Sequence, residues 1–284
     1  MQTIPFFDQD TSTMTYLVFD EATKDAIVID PVWDFDPPSG KLTDHSFQRL
    51  TDSIQENALN LIFILETHAH ADHISSSQLL KKKYPQAKVA ISERIKIVQD
   101  VFKNIFHIDY LKPNGQDFDY LIKDDEVFTA GSLTIKAIPT PGHTPACTSF
   151  LIGDSLFTGD SLFMPDYGTG RCDFPKGSAS MLFDSIKKLY SLPQETIVYV
   201  GHDYQPHGRA LAFKTTIGDS KTNNIQLKLN TTKDEFVQFR EARDKTLKAP
   251  RLILPSLQFN IVAGHLPPAE SNGTSYLKLP LKLG

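Results

Sequence analysis

The chain has 284 residues, 40% of them hydrophobic, enough for one large core or one core with a small appendage. A net charge of −5 supplies no basic footprint for nucleic acid, and no apolar run approaches the roughly 20 residues a membrane helix needs. The two cysteines, Cys147 and Cys172, are too few for a disulfide framework, and the first residues lack a basic-then-apolar signal pattern. A cytoplasmic protein is therefore expected.

In chain order, residues 14–19 and 26–29 read as a hairpin around the polar segment Asp20 to Lys24. Residues 46–56 read as a helix with Phe47, Leu50 and Ile54 on one face. The apolar run Leu61 to Leu65 reads as a buried strand, and 75–84 as a helix ended by Pro85. A strand at 88–91 and a helix at 93–102 follow, then an irregular excursion from 104 to 118. Strands are expected at 126–129, 133–138, 148–152 and 155–157. A long loop runs to Gly177, before an amphipathic helix at 178–190 and a strand at 196–200. The remainder is polar and reads as helical to about Leu247; the tail from Arg251 is expected to wrap the body. This implies one main unit over 1–210, with the C-terminal helical segment and tail 211–284 packed on the same domain.

A repeating theme runs through these elements: a strand, then a short loop carrying His or Asp. It occurs at 65–73, 138–143, 157–160 and 200–202, and takes in five of the nine histidines. The densest case is His68-Ala69-His70-Ala71-Asp72-His73. In an extended chain His68 and His70 project to the same side, and the turn beyond can bring back Asp72 and His73. Imidazoles gathered with a carboxylate suit a divalent transition metal. A lone histidine is more often a solvated loop residue, which is the reading for His45, His107, His207 and His265. Phe102, Phe106 and Tyr110 read as core aromatics before pocket walls, Cys147 as a small buried apolar residue, and Asp203 as an internal hydrogen-bond acceptor.

His-x-His-x-Asp-His, Gly142-His143-Thr144, Gly159-Asp160 and Gly201-His202 together resemble the metallo-β-lactamase superfamily over residues 14 to 205. The resemblance implies an α/β fold, the αβ/βα sandwich, with two mixed sheets face to face, helices outside, and metal between the loops at one edge. Arg171-Cys172-Asp173-Phe174 and Asp203-Tyr204 are similar to segments of the persulfide dioxygenases. The stretch Met164 to Pro175, with Pro255 to Gln258 and Leu266-Pro267-Pro268, looks like the bacterial branch labelled beta-lactamase-like hydrolase. Thr169 departs from the pattern, standing where the best-known dioxygenases carry a cysteine.

The resemblance implies one Fe(II) per chain held by His68, His143 and Asp160, a facial triad with positions left open. The implied partners are a small persulfide and O2, with neither nucleic acid nor membrane, and a homodimer is compatible. In dinuclear relatives Asp72, His73 and His202 hold a second ion, His70 joins the first, and Asp160 bridges, so two Zn(II) and a hydrolase similar to glyoxalase II or a lactonase form the alternative. In dioxygenases His70, Asp72, His73 and His202 instead orient ligands and water. Asp72 and Tyr204 are the expected catalytic residues. Arg171 and Tyr204 are expected to bind substrate, with an Arg171–Asp173 ion pair as the competing role.

Overall fold

A computed structural model describes residues 1–281. The first sheet draws on β1 (Gln2–Asp8), β2 (Thr13–Phe19) and β3 (Asp25–Ile29). The chain then forms β4 (Val32–Asp36), β5 (Lys41–Thr43) and α1 (His45–Glu56). Next come β6 (Asn60–Leu65), β7 (Ile74–Ser75), α2 (Ser77–Lys83), β8 (Lys88–Ser92), α3 (Ile95–Phe106) and β9 (Tyr120–Ile122). The first sheet has the order β1-β2-β3-β6-β8-β9, antiparallel through β3 and parallel from β3 to β9.

The second half supplies β10 (Val127–Ala130), β11 (Leu133–Pro139), β12 (Thr148–Ile152), β13 (Ser155–Phe157), α4 (Ala179–Leu189) and β14 (Ile197–Tyr199). It ends with β15 (Lys214–Thr216), α5 (Ile217–Asn223), α6 (Lys233–Asp244) and α7 (Ile253–Asn260). Strands β10 to β15 form a second sheet in sequence order, with β13 and β14 parallel. Both sheets are therefore mixed. A small third sheet, β5-β4-β7, lies beside them.

Alternation along β2 shows how the layers are made. Met14, Tyr16 and Val18 join Phe63, Phe150 and Phe157 in one cluster between the sheets. Leu17 and Phe19 point the other way, into a cluster with Leu50, Ile54, Phe102 and Leu257 from the helices. A strand buried on both faces is apolar along most of its length, as β2 is from Tyr16 to Phe19 and β6 from Leu61 to Leu65. Helix α3 buries Ile95, Val98, Phe102 and Phe106, the one-face spacing of an amphipathic helix. Phe102 and Phe106 are core residues, while Tyr110 is exposed.

Several elements depart from the sequence reading. Strand β1 begins the sheet with Pro5 inside it, an edge position where the missing donor is tolerated. Between 205 and 247, expected to be helical, the chain makes β15 before α5 and α6, and β15 is fixed by pairing with β14. The tail contains α7, which takes Pro255 in its first turn, where no intrahelical donor is lost. Ile217 and Phe236 pack with α4 in a third cluster, and Leu257 and Ile261 enter the first. Among the described residues no helix is long and apolar enough to cross a membrane.

Candidate metal centre

Four strand ends meet at one edge of the sandwich. His68 to His73 follow β6 in the first sheet, while His143, Asp160 and His202 follow β11, β13 and β14 in the second. All five histidines and Asp160 are buried. The His68 ring centroid lies 4.0 Å from that of His70 and 5.0 Å from that of His143. One ligand atom each of His68, His143 and Asp160 lies within 4.8 Å of the others. His70, Asp72 and His73 form a second such group, and Asp30, Glu66 and His70 a third.

Hydrogen bonds settle which nitrogen each ring offers. His143 Nδ1 sits 2.8 Å from the Arg171 carbonyl, and His202 Nδ1 3.2 Å from that of Ser12. A carbonyl only accepts, so both Nδ1 atoms carry a proton and both Nε2 atoms face the centre. Thr67 Oγ1 donates to Asp30 Oδ2 at 2.8 Å and lies 3.1 Å from His68 Nδ1. Its remaining lone pair takes the His68 Nδ1 proton, which leaves Nε2 bare. His70 Nε2 is 2.9 Å from Asp30 Oδ1. His73 Nδ1 lies 3.1 Å from Asp72 Oδ2. His68 Nε2, His70 Nδ1 and His73 Nε2 are buried without a hydrogen-bond partner among the described residues. Each orphan would cost about 1–3 kcal/mol, and a divalent cation answers them. The donor set therefore fits a transition metal of the kind bound by imidazole and carboxylate.

Charge points the same way. Burial, then the neighbouring His70 and His143, push His68 well below its ordinary range, so it is a neutral ligand. Burial would raise Asp160, but His202 and then His143 and His68 outweigh it and hold the carboxyl low. Asp72 is held low against burial by His202 and His73. Burial opposes charge on His202, yet Asp160 and Asp72 lift it to about 9, so in the metal-free protein its Nε2 also holds a proton that a metal bound there would displace. His70 is raised in the same way by Asp30 and Glu66.

The outer layer was less legible. Asp30 ends β3 with φ 51°, a left-handed conformation that aspartate tolerates better than most residues. From there it accepts from Thr67 N at 2.7 Å as well as from the Thr67 hydroxyl. Glu66 accepts from Ser75 and Ser77. Asn260, the last residue of α7, donates to the carbonyls of His70 and His73 at 2.8 and 2.7 Å and accepts from Ser75 N. Gly159 has φ 49°, and a Cβ there would fall 2.4 Å from Thr67 Oγ1, so only glycine lets Asp160 approach. The polar residue directly after each strand was the one available signal for Asp30 and Glu66. Nothing local marks Asn260.

A cavity of about 300 Å³ opens over the centre, lined by Asp72, His143, Asp160, Phe163, Phe174 and Tyr204. Tyr204 stacks on His202 with centroids 5.4 Å apart. Arg171 also lines the cavity, but its Nε and Nη2 each donate to Asp173 at 2.6 Å, and Nη1 donates to the Lys248 carbonyl at 2.7 Å. The ion pair weighed from sequence is thus present, at the cavity wall. Arg243, Lys248 and Arg251 line it too, and no ion pair engages them among the described residues. Asp203 accepts from Arg209 and from Ala212 N, as an internal acceptor should. Cys147 is buried, its thiol pushed up to about 12 by burial. Cys172 is buried off the main cavity, beside Asp173 and Ser178. His45, His107, His207 and His265 are exposed.

The sequence model of the metallo-beta-lactamase superfamily matches residues 9–202. The chain belongs to that superfamily. It is 49% identical over 278 residues to "Glyoxylase B2" of Dictyostelium discoideum, covering 97% of this chain and 95% of the relative. It is 32% identical over 235 residues to human mitochondrial "Persulfide dioxygenase ETHE1", covering 82% of this chain and 77% of the relative. The crystal structure of ETHE1 from Myxococcus xanthus superposes with a TM-score of 0.75 at 32% identity, covering 93% of this chain and all of that one. The four loops at the sandwich edge are thus a metallo-β-lactamase-type centre.

Proposed function

We propose that this protein is a persulfide dioxygenase, taking a small acidic persulfide such as glutathione persulfide to thiol and sulfite at one Fe(II). The balance is RSSH + O2 + H2O giving RSH, sulfite and two protons. The observation that carries the reading is the convergence of His68, His143 and Asp160 within 4.8 Å. Two imidazoles and one carboxylate leave room for further ligands, the donor set of non-haem iron oxygenases. Bound there, Fe(II) supplies open positions for sulfur and O2 and the redox chemistry that neither the protein nor the substrate has.

The rest falls to the chain's own side chains. Arg243, Lys248 and Arg251 surround the mouth and attract the carboxylates of a glutathione-like anion. Arg171, pinned by Asp173, presents its remaining N–H donors at the same wall. Phe163 and Phe174 line the inner wall and exclude water from the reacting sulfur. Tyr204, without a hydrogen-bond partner among the described residues, offers its hydroxyl to substrate. Asp72 accepts from Thr13 at 3.1 Å and keeps His73 and His202 oriented around the cavity floor. Behind His143 lies a pocket of only about 10 Å³ walled by Ala69, Ala71, Val98, Phe102 and Leu257. So small an apolar recess stays dry.

A second reading has its own support. The group His70, Asp72 and His73 could take a second ion, which suits a thioester hydrolase with a metal-activated hydroxide, and the Dictyostelium relative is named a glyoxylase. Parallel assays separate the two. Iron-loaded protein given glutathione persulfide should consume O2 and release sulfite, while S-lactoylglutathione stays intact. Rapid thioester hydrolysis without O2 uptake would replace the dioxygenase with the hydrolase.

A further inference from the structure

We propose that the buried Arg240–Asp244 pair, acting with Gln226 and Thr169, positions the metal ligands His143 and Asp160 by clamping the segment 167–172 against the centre. The inference holds for either reaction, since it concerns only how the metal is held.

Arg240 is a fully buried charged side chain in α6, outside every motif of the centre. Its Nε lies 2.9 Å and its Nη2 2.6 Å from Asp244 Oδ1, one helical turn away. Its Nη1 donates to Gln226 Oε1 at 2.9 Å and to the Thr169 carbonyl at 3.3 Å. Asp244 Oδ2 accepts from the Cys172 N–H at 2.8 Å. Gln226 Oε1 also accepts from the Thr169 hydroxyl at 2.9 Å, and its Nε2 donates to the Tyr167 carbonyl at 2.7 Å. Three side chains from the C-terminal segment thus grip residues 167, 169 and 172.

What the gripped segment touches gives the clamp its purpose. Between Thr169 and Cys172 lie Gly170 and Arg171. The Arg171 carbonyl takes the His143 Nδ1 proton at 2.8 Å, which fixes the ring's tautomer and its aim. At Gly170 a Cβ would fall 1.9 Å from the Asp160 carbonyl, so the segment lies directly against the backbone of a second ligand. A buried ion pair is poor value as a stabiliser, because desolvation offsets its attraction. Retaining one here is accounted for by the geometry it imposes. Partners that orient metal ligands typically govern about 10- to 100-fold in affinity.

The test uses the full chain in two variants. Arg240→Met/Asp244→Leu replaces the pair with apolar residues of similar size, and Thr169→Val removes only the hydroxyl that meets Gln226. Fold is checked by circular dichroism, and metal affinity by competition of Co(II) with a chelator. The Co(II) absorption bands report ligand geometry, which a role confined to stability leaves unmoved. The expected result is a folded double variant with affinity down about 10- to 100-fold and shifted bands, and a smaller change in the same direction in Thr169→Val. If the double variant does not fold, Thr169→Val decides alone. Wild-type affinity and unshifted bands in the folded double variant, or in Thr169→Val when it must decide alone, overturn the proposal.

Discussion

The two sides of the metal centre are built differently. The loop 67–73 is held mostly by what lies near it: Asp30 at the end of the adjacent strand, Glu66 just before it, and Ser75 and Ser77 just after. The stretch 158–173 gets its shape from far along the chain, through Gln226, Arg240 and Asp244. The first side carries a compact motif and little of the cavity. The second carries one candidate ligand, Asp160, a carbonyl that aims another, and much of the cavity wall. One half of the site is thus braced by near neighbours, and the other by residues reached only through the fold.

The largest effect belongs to the ligands where both sides meet. His68→Ala, His143→Ala and Asp160→Ala should each abolish metal binding, as measured by elemental analysis after dialysis. Gly170→Ala should come close to them, because its Cβ has no room beside the Asp160 carbonyl. Asp72→Ala comes next. With Asp72 as an orienting group, activity should fall about 10- to 100-fold while most of the iron stays bound. Metal loss as complete as in His68→Ala would make Asp72 a ligand and the centre dinuclear.

Asn260 is the exception to local support on the first side, and its removal gauges how much that side depends on the tail. Asn260→Ala strands the buried carbonyls of His70 and His73, at about 1–3 kcal/mol for each group left unsatisfied. A lowered melting temperature in the metal-free protein is expected, and an unchanged one would mean that the loop supports itself. The smallest effect is expected from Arg171→Lys, which keeps the charge but loses the fork. KM for the persulfide should rise about tenfold, since a charge-assisted bond is worth roughly 1.5–3 kcal/mol, with iron content unchanged. An unaltered KM would leave Arg171 only its tie to Asp173 and Lys248.

What the sequence disclosed follows the same division. Each metal-ligand candidate follows a strand whose apolar pattern is plain, so strand ends singled out the five buried histidines and Asp160, and the family resemblance supplied their expected roles. Buried on both faces, β2 and β6 could not hide their character. Arg240 and Asp244 were invisible because they sit in a polar, amphipathic helix where such residues are ordinarily solvated, and only tertiary packing buries them. Helix α7 was masked by Pro255, and β15 by the lack of any apolar alternation in Lys214-Thr215-Thr216. Ion pairing of Arg171 with Asp173 was open from their spacing, but its place on the cavity wall came from the fold.

Anaerobic titration of the metal-free protein with Fe(II) separates one iron with an O2-dependent reaction from two ions with a hydrolysis. Bound metal is counted first, and each sample is then mixed with glutathione persulfide and O2. Saturation is expected at one Fe(II) per chain, with O2 uptake rising in proportion to bound iron and stopping at one O2 per persulfide. Saturation at two ions per chain, with activity appearing only as the second site fills and no O2 consumed, would contradict it.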